Sequence, residues 1–191
     1  MGRLGLPIMM RITAGSAKGR RLKSPPAGTR PMTERMKESV FSVLGDVTGL
    51  KVLDLYAGSG GLGLEALSRG AKKATFVEKE RDAIVKLEEN IKTTSFGRKT
   101  EVMWADVPTT INRHADSRMD LIFVDPPYTV AVPGVRADLE AIVLGGWLSD
   151  EGRIVVHRPH KEAKLSPLGL KLVFEREYGQ ARILVFSHED D

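Results

Sequence analysis

Asp125-Pro126-Pro127-Tyr128 is the stretch whose residue types point most directly to chemistry. A carboxylate, a rigid carbonyl and an aromatic face follow one another, a set suited to a planar base that bears an amine. The prolines fix φ and remove two N–H donors, which leaves carbonyl oxygens to accept. The amine hydrogens can bond to Asp125 and the Pro126 carbonyl while the ring stacks on Tyr128. The alternative is a tetrapeptide that serves only as a rigid turn. A second cluster, KVLDLYAGSGGLG at residues 51–63, carries Gly58, Gly60 and Gly63 in G-x-G-x-x-G spacing. A strand, a glycine turn and a helix would aim backbone N–H groups and a positive dipole end at a nucleoside or carboxylate of a cofactor. Alone this spacing is a weak signal, because glycines also serve tight packing. Two acids complete the set. Glu78 lies 24 residues beyond Asp54, near the offset where nucleotide-binding folds keep an acid for ribose hydroxyls, unless it is an exposed strand end. Asp106 can accept from an adenine amine, with Trp104 or Val107 walling the ring, or it can open the next helix as an N-cap.

Such residues need a sheet edge to hold them. Val52, Leu53 and Leu55 read as a buried strand, and residues 62–69 as a helix with Leu62, Ala66 and Leu67 on one side. Residues 74–77 form a second apolar run, and 81–91 a charged amphipathic helix with Ala83, Leu87 and Ile91 inward. Residues 100–105 give a third strand, 107–114 a weak helix, and 119–124 a fourth strand that runs straight into Asp125. Beyond it, 129–135 reads as a mobile loop over the crevice, 137–143 as a helix and 152–156 as a fifth strand. Two further strands, 170–178 and 181–186, are joined at Gly179-Gln180 as a hairpin. Alternating strands and helices closed by an antiparallel pair predict an α/β fold that is not a plain dinucleotide-binding one. The four histidines are scattered without metal-ligand spacing, so no metal is expected, and His157 and His160 border the carboxyl edge of the sheet.

Charge is unevenly spread along the chain. Residues 1–37 hold nine Lys or Arg against one acid, Glu34, while the whole chain is only +4, so the remainder is mildly acidic. A positive end on an acidic body is the asymmetry of a nucleic-acid-binding arm, the alternative being a solvated basic tail. Strand-like pieces at 11–14 and 20–23 flank the turn Gly15 to Gly19 and suggest a basic hairpin. Thr33 reads as an N-cap for an amphipathic helix over 34–44 that ends at Gly45. Met36, Val40, Val43 and Leu44 form its apolar stripe, and Arg35 and Lys37 would extend the basic surface. The 191 residues suffice for one domain with a small appendage, and no apolar run approaches the ~20 residues of a membrane span. MGRLGLPIMM, residues 1–10, is too short and too broken by Gly and Pro to read as a signal peptide, and Met9 or Met10 is an alternative start. Cys is absent, which removes disulfides and thiolate chemistry, and the expected compartment is the cytoplasm.

Taken together, DLYAGSGGLG, Glu78, Asp106 and DPPY resemble a class I S-adenosylmethionine-dependent methyltransferase acting on an exocyclic amine. More narrowly, RITAGSAKGRRLKSPP, TRPMTERMKESVF and DLYAGSGGLGLEALSRGA resemble the RsmD family, bacterial enzymes that methylate N2 of one guanine in small-subunit (16S) ribosomal RNA. The resemblance runs from about Met10 to Phe186. It implies a Rossmann-like fold with a seven-stranded, mostly parallel sheet and an antiparallel C-terminal hairpin. A basic extension over residues 1–33 would precede a methyltransferase domain over 34–191. It also implies that Asp54, Tyr56, Gly58, Ser59, Gly60, Glu78 and Asp106 hold S-adenosylmethionine. Asp125, Pro126 and Tyr128 would carry the chemistry, and Arg11, Lys18, Arg20, Arg21 and Arg30 would grip RNA. The implied partner is 16S rRNA or the small subunit, met by a monomer. HRPHKE at residues 157–162 replaces a usually more acidic stretch, and YGQARILVF departs from a family Thr after the glycine, departures that bear on the RNA edge. The alternatives are a DNA or other RNA amino-methyltransferase acting on adenine N6 or cytosine N4, a nicotinamide-dependent oxidoreductase, and a non-catalytic RNA-binding scaffold. The oxidoreductase reading leaves DPPY unexplained and lacks an expected His, or Tyr and Lys, relay at the crevice.

Overall fold

A computed structural model describes residues 10–24 and 32–189. A short antiparallel pair, β1 (Met10–Arg11) and β2 (Arg21–Leu22), opens it, shorter than the two expected pieces because the turn between them packs on the body. Helix α1 (Glu34–Leu44) has the expected bounds: Thr33 Oγ1 accepts the Met36 N–H at 3.3 Å, and Gly45 ends it at φ 74°. Then come β3 (Lys51–Leu55), α2 (Gly61–Ser68), β4 (Lys73–Glu78), α3 (Arg81–Thr94), β5 (Thr100–Trp104), α4 (Val107–Ile111) and β6 (Met119–Val124). Helix α5 (Val132–Leu144), β7 (Leu148–Pro159), β8 (Leu170–Tyr178) and β9 (Ala181–His188) complete the chain.

The main sheet has the order β5-β4-β3-β6-β7-β9-β8, with the first five strands parallel and the last two antiparallel. The chain builds outward from β3 to β5 and then returns to the other side of β3 with β6. The carboxyl ends of β3 and β6 therefore flank the point where strand order reverses, the place where such sheets bind ligands. Alternation puts Val52, Leu121, Phe123 and Val155 in one core with α1, α2 and α3, and Leu53, Leu55, Ile122, Val124 and Val156 in a second with α4 and α5.

The largest extensions past expected limits are in α5 and β7. The loop expected over 129–135 is cut short, since α5 starts at Val132 with Pro133 in its first turn, where a missing N–H costs no helical bond. Strand β7 runs from Leu148 through Pro159 rather than over 152–156 alone. A register irregularity opposite Met119 and Leu121 takes up its polar beginning, and Ser149 Oγ donates to Asp120 Oδ1 at 3.0 Å. Its polar end is held by β9, with His157 opposite Ile183 and Arg158 opposite Arg182.

The hairpin is docked on the body. Glu65 of α2, fully buried, accepts from Thr13 N, Thr13 Oγ1 and Ala14 N at 2.9, 2.7 and 3.1 Å. Lys37 was expected on the basic surface. Instead it is buried, its Nζ donating to the Arg11 carbonyl at 2.6 Å and reaching Glu65 at 3.3 Å. The 3.6-residue period misplaces it because the hairpin covers the face that an isolated helix would show to water. No helix among the described residues is long and apolar enough to cross a membrane.

Candidate active site

Strand ends and tight turns bring the sequence-predicted acids to one edge. Asp54, next to last in strand β3, is buried and accepts the Gly63 N–H at 2.8 Å, which caps the first turn of α2. Burial raises its pKa well above the ordinary carboxyl range, and the negative charges of Asp125 and Glu78 add to the rise. Glu78 ends β4 with one oxygen on the Gly58 N–H at 2.8 Å and the other on the N–H groups of Lys79 and Glu80 at 2.8 and 2.9 Å. A carboxylate has about four lone-pair sites, two on each oxygen, so the oxygen that takes two amides is filled and the one bound to Gly58 N–H keeps a site for a hydroxyl donor. Its burial rules out the exposed strand end.

Asp106 does open α4, as the helix-cap alternative allowed: its Oδ2 accepts from Thr109 N and Oγ1 at 3.4 and 3.3 Å. Its Oδ1 lies 3.9 Å from Lys79 Nζ. Capping with one oxygen leaves the other directed elsewhere, so the two roles are compatible. Trp104 is largely exposed and donates its Nε1–H to the Lys79 carbonyl at 2.9 Å, while Val107 is buried.

The glycines divide their labour. Gly60 has φ 82°, a left-handed conformation that favours glycine, and a Cβ there would also come within 2.3 Å of Leu87 Cδ1 of α3. Gly58, at φ 55°, instead turns its amide onto Glu78. Ser59 is buried and its hydroxyl faces the Met10 sulfur at 3.9 Å. Tyr56 has a φ of 57°, uncommon for a bulky side chain, and its phenol donates to Asp138 Oδ2 at 2.5 Å. Burial, then Asp138, pushes the phenol pKa up, so it keeps its proton. Asp138 itself was not anticipated. It ties the glycine turn to α5, and only the three-dimensional packing reveals it.

Asp125 leaves β6 beside β3, its N–H 3.5 Å from the Leu55 carbonyl. Parallel pairing of Phe123 with Val155 and Val124 with Val156 makes Asp125 and His157 neighbours on one face. Their side chains meet, Asp125 Oδ1 lying 2.8 Å from His157 Nδ1. His157 Nε2 is 3.4 Å from the Tyr128 hydroxyl, and the two rings stand edge to face with centroids 5.9 Å apart. The expectation that the crevice lacks a histidine is therefore corrected. Arg158, on the opposite face of β7 and buried, donates to the carbonyls of Pro127 and Val130 at 3.4 and 2.6 Å, and pairs with Glu162 at 2.5 Å. Of the two prolyl carbonyls, that of Pro127 is thus engaged internally. Within HRPHKE, His157 and Arg158 thus contact the DPPY turn.

Four of the predicted cations lie on the hairpin, whose Met10 meets Ser59 of the glycine turn. Arg11, Lys18, Arg20 and Arg21 are exposed on the hairpin, with Arg11 paired to Glu34 at 2.9 Å and Arg20 Nη1 donating to the Thr93 carbonyl at 3.0 Å. Arg30 lies outside the described residues. A groove of about 440 Å³ at the C-terminal ends of α4 and α5 lies at the other end of those helices from Asp106 and Tyr128.

Residues 10–187 match the family described as Conserved hypothetical protein 95. Ribosomal RNA small subunit methyltransferase D of Escherichia coli is 32% identical, over 94% of this chain and 90% of its own length. The chain belongs to this methyltransferase family. YlbH of Bacillus subtilis is 36% identical over 93% of this chain and 98% of its own. The solved structure of yhhF from Escherichia coli superimposes with a TM-score of 0.84 at 30% identity, covering 96% of this chain and 99% of that one. The fold is that of the class I methyltransferases, and the protein is a methyltransferase, which sets aside the oxidoreductase and the non-catalytic scaffold. The fold family implies S-adenosylmethionine as cofactor. The donor set fits it, since Asp54, Glu78, Asp106 and Asp125 gather at one edge, with Asp54 raised by burial and further by Asp125 and Glu78, and suit a ligand bearing a sulfonium cation and ribose hydroxyls.

Proposed function

We propose that the protein transfers a methyl group from S-adenosylmethionine to the exocyclic N2 amine of a guanine in small-subunit ribosomal RNA, acting in the cytoplasm. The observation that carries this reading is the DPPY turn, held at the switch point with its carboxylate and its aromatic ring fastened to one histidine. The relatives named as small-subunit ribosomal RNA methyltransferases support RNA as the substrate.

The cofactor supplies an activated methyl cation equivalent. Asp54, Tyr56, Gly58, Ser59 and Gly60 would border its amino-acid part, Glu78 would accept from its ribose and Asp106 from its adenine. The guanine amine is a poor nucleophile because its lone pair is delocalised into the ring. Hydrogen bonds from the amine to the Asp125 carboxylate and the Pro126 carbonyl bias the nitrogen toward sp³ geometry and aim its lone pair. Alignment of this kind can supply roughly 7–11 kcal/mol of a barrier. Positive charge developing on nitrogen is stabilised by Asp125, which takes the departing proton. Tyr128, 40% exposed, offers its ring to replace the stacking a looped-out base gives up, a loss of a few kcal/mol. Arg11, Lys18, Arg20, Arg21 and Arg30 bind phosphates, so the hairpin and the residues up to Thr33 serve as the RNA-binding extension.

Asp125→Ala is the test. Tritiated methyl incorporation into small-subunit RNA should vanish while cofactor binding by calorimetry is retained, and full activity in that variant would refute the role. Mass spectrometry of the product nucleoside should give N2-methylguanosine, and a methylated adenine or cytosine would move the target to another amine.

A further inference from the structure

We infer that His157 is a positioning residue for methyl transfer, fixing at once the carboxylate and the aromatic ring that receive the base. The inference rests on the reading of Asp125 as the acceptor of the base amine.

His157 is buried at the end of β7, the parallel neighbour of β6, and the register leaves it no partner along β6 but the residue just past Val124. A carboxylate only accepts hydrogen bonds, so the 2.8 Å contact requires the proton on His157 Nδ1. In the neutral ring Nε2 is then an acceptor, directed at the Tyr128 hydroxyl. One imidazole thus binds the first and the last residue of the tetrapeptide. With Oδ1 of Asp125 occupied by His157, the carboxylate cannot rotate freely, and Oδ2 is the oxygen left to meet an amine. The next residue, Arg158, grips the same turn from the other face of the strand through the Pro127 and Val130 carbonyls. Two consecutive side chains, pointing to opposite faces as strand geometry requires, hold the turn from both sides. The side-chain contacts of His157 are with Asp125 and Tyr128. It acts through Asp125 and Tyr128.

Three variants separate orientation from simple packing: His157→Ala, His157→Asn and His157→Gln. An Asn amide can place its N–H where Nδ1–H stands, whereas a Gln amide reaches only the Nε2 position. His157→Ala should lower kcat by about 10²-fold, the loss that small misplacements of reacting groups cause, with KM for RNA and cofactor affinity little changed. His157→Asn should recover most of that loss and His157→Gln should not, although all three share the lost ring volume and a similar fall in Tm. Equal defects in all three, or full kcat in His157→Ala, would overturn the inference. Asp125→Ala, assayed beside them, keeps the two failures apart. If it is inactive while His157→Ala is active, only the role of His157 falls, and if it is itself active, the reading of Asp125 falls and this one with it.

Discussion

Two buried acids touch α2 and meet opposite surroundings. Glu65 accepts from Thr13 and Ala14 and sits against Lys37 and Arg69, so its charge is answered from within the chain. Burial alone would raise its pKa, but the Thr13 hydrogen bonds and the Lys37 charge outweigh burial and hold it below the usual value. Asp54 accepts one amide, and its burial, to which two further carboxylates add, sends its pKa up. The first acid fastens a hairpin. The second belongs to an edge whose negative charge is left to a ligand to offset, so stability is given up where binding is wanted.

The sharpest break in this comparison would come from Glu65→Ala. It leaves Lys37 buried without its counter-charge, and unfolding in denaturant should show a loss of about 3–5 kcal/mol. A change near zero would mean that the anchor contributes nothing. At the other centre, S-adenosylmethionine at 100 times its Kd should raise stability by about 2.7 kcal/mol, and a melting temperature indifferent to the cofactor would contradict the ligand assigned to this edge.

Asp54→Asn keeps an oxygen to accept the Gly63 N–H and removes the disfavoured charge. The folded state holds the Asp54 proton more tightly than the unfolded state does, so wild-type stability is eroded as pH rises above 3.8. The variant should therefore gain in Tm over wild type by more at pH 8 than at pH 4, about 2–4 °C for each kcal/mol, while binding the cofactor less tightly. Glu65 gives the opposite slope. Its lowered pKa contributes stability that is present above 4.5 and lost as pH falls below it, and Glu65→Gln should flatten that acid limb in thermal melts. The smallest effect concerns the hairpin surface. Arg20→Ala with Arg21→Ala should weaken RNA binding evenly across sequences and reduce the salt slope by about 2, one for each phosphate contact removed.

Legibility in the sequence followed how local each signal was. Helix 34–44 and strand 119–124 could be read to the residue, because Thr33 and Gly45 cap the one and a short apolar run defines the other. The start of α5 could not, since Pro133 marks a loop and a first helical turn equally well. Glu78, Asp106 and Asp125 were visible as acids that end strands. Lys37 was misread because its partner Glu65 lies 28 residues further on, and no periodicity reports what covers a helix face.

By itself, then, the order of residues determined the alternation of strands and helices, the glycine turn, the acids at strand ends and the DPPY turn, all of them properties of neighbours along the chain. Tertiary structure alone decided that His157 would stand beside Asp125, that Tyr56 would reach Asp138 and that Lys37 would be buried. Each of those depends on strand register or on one element covering another, and side chains far apart in sequence meet only after the sheet has chosen its order.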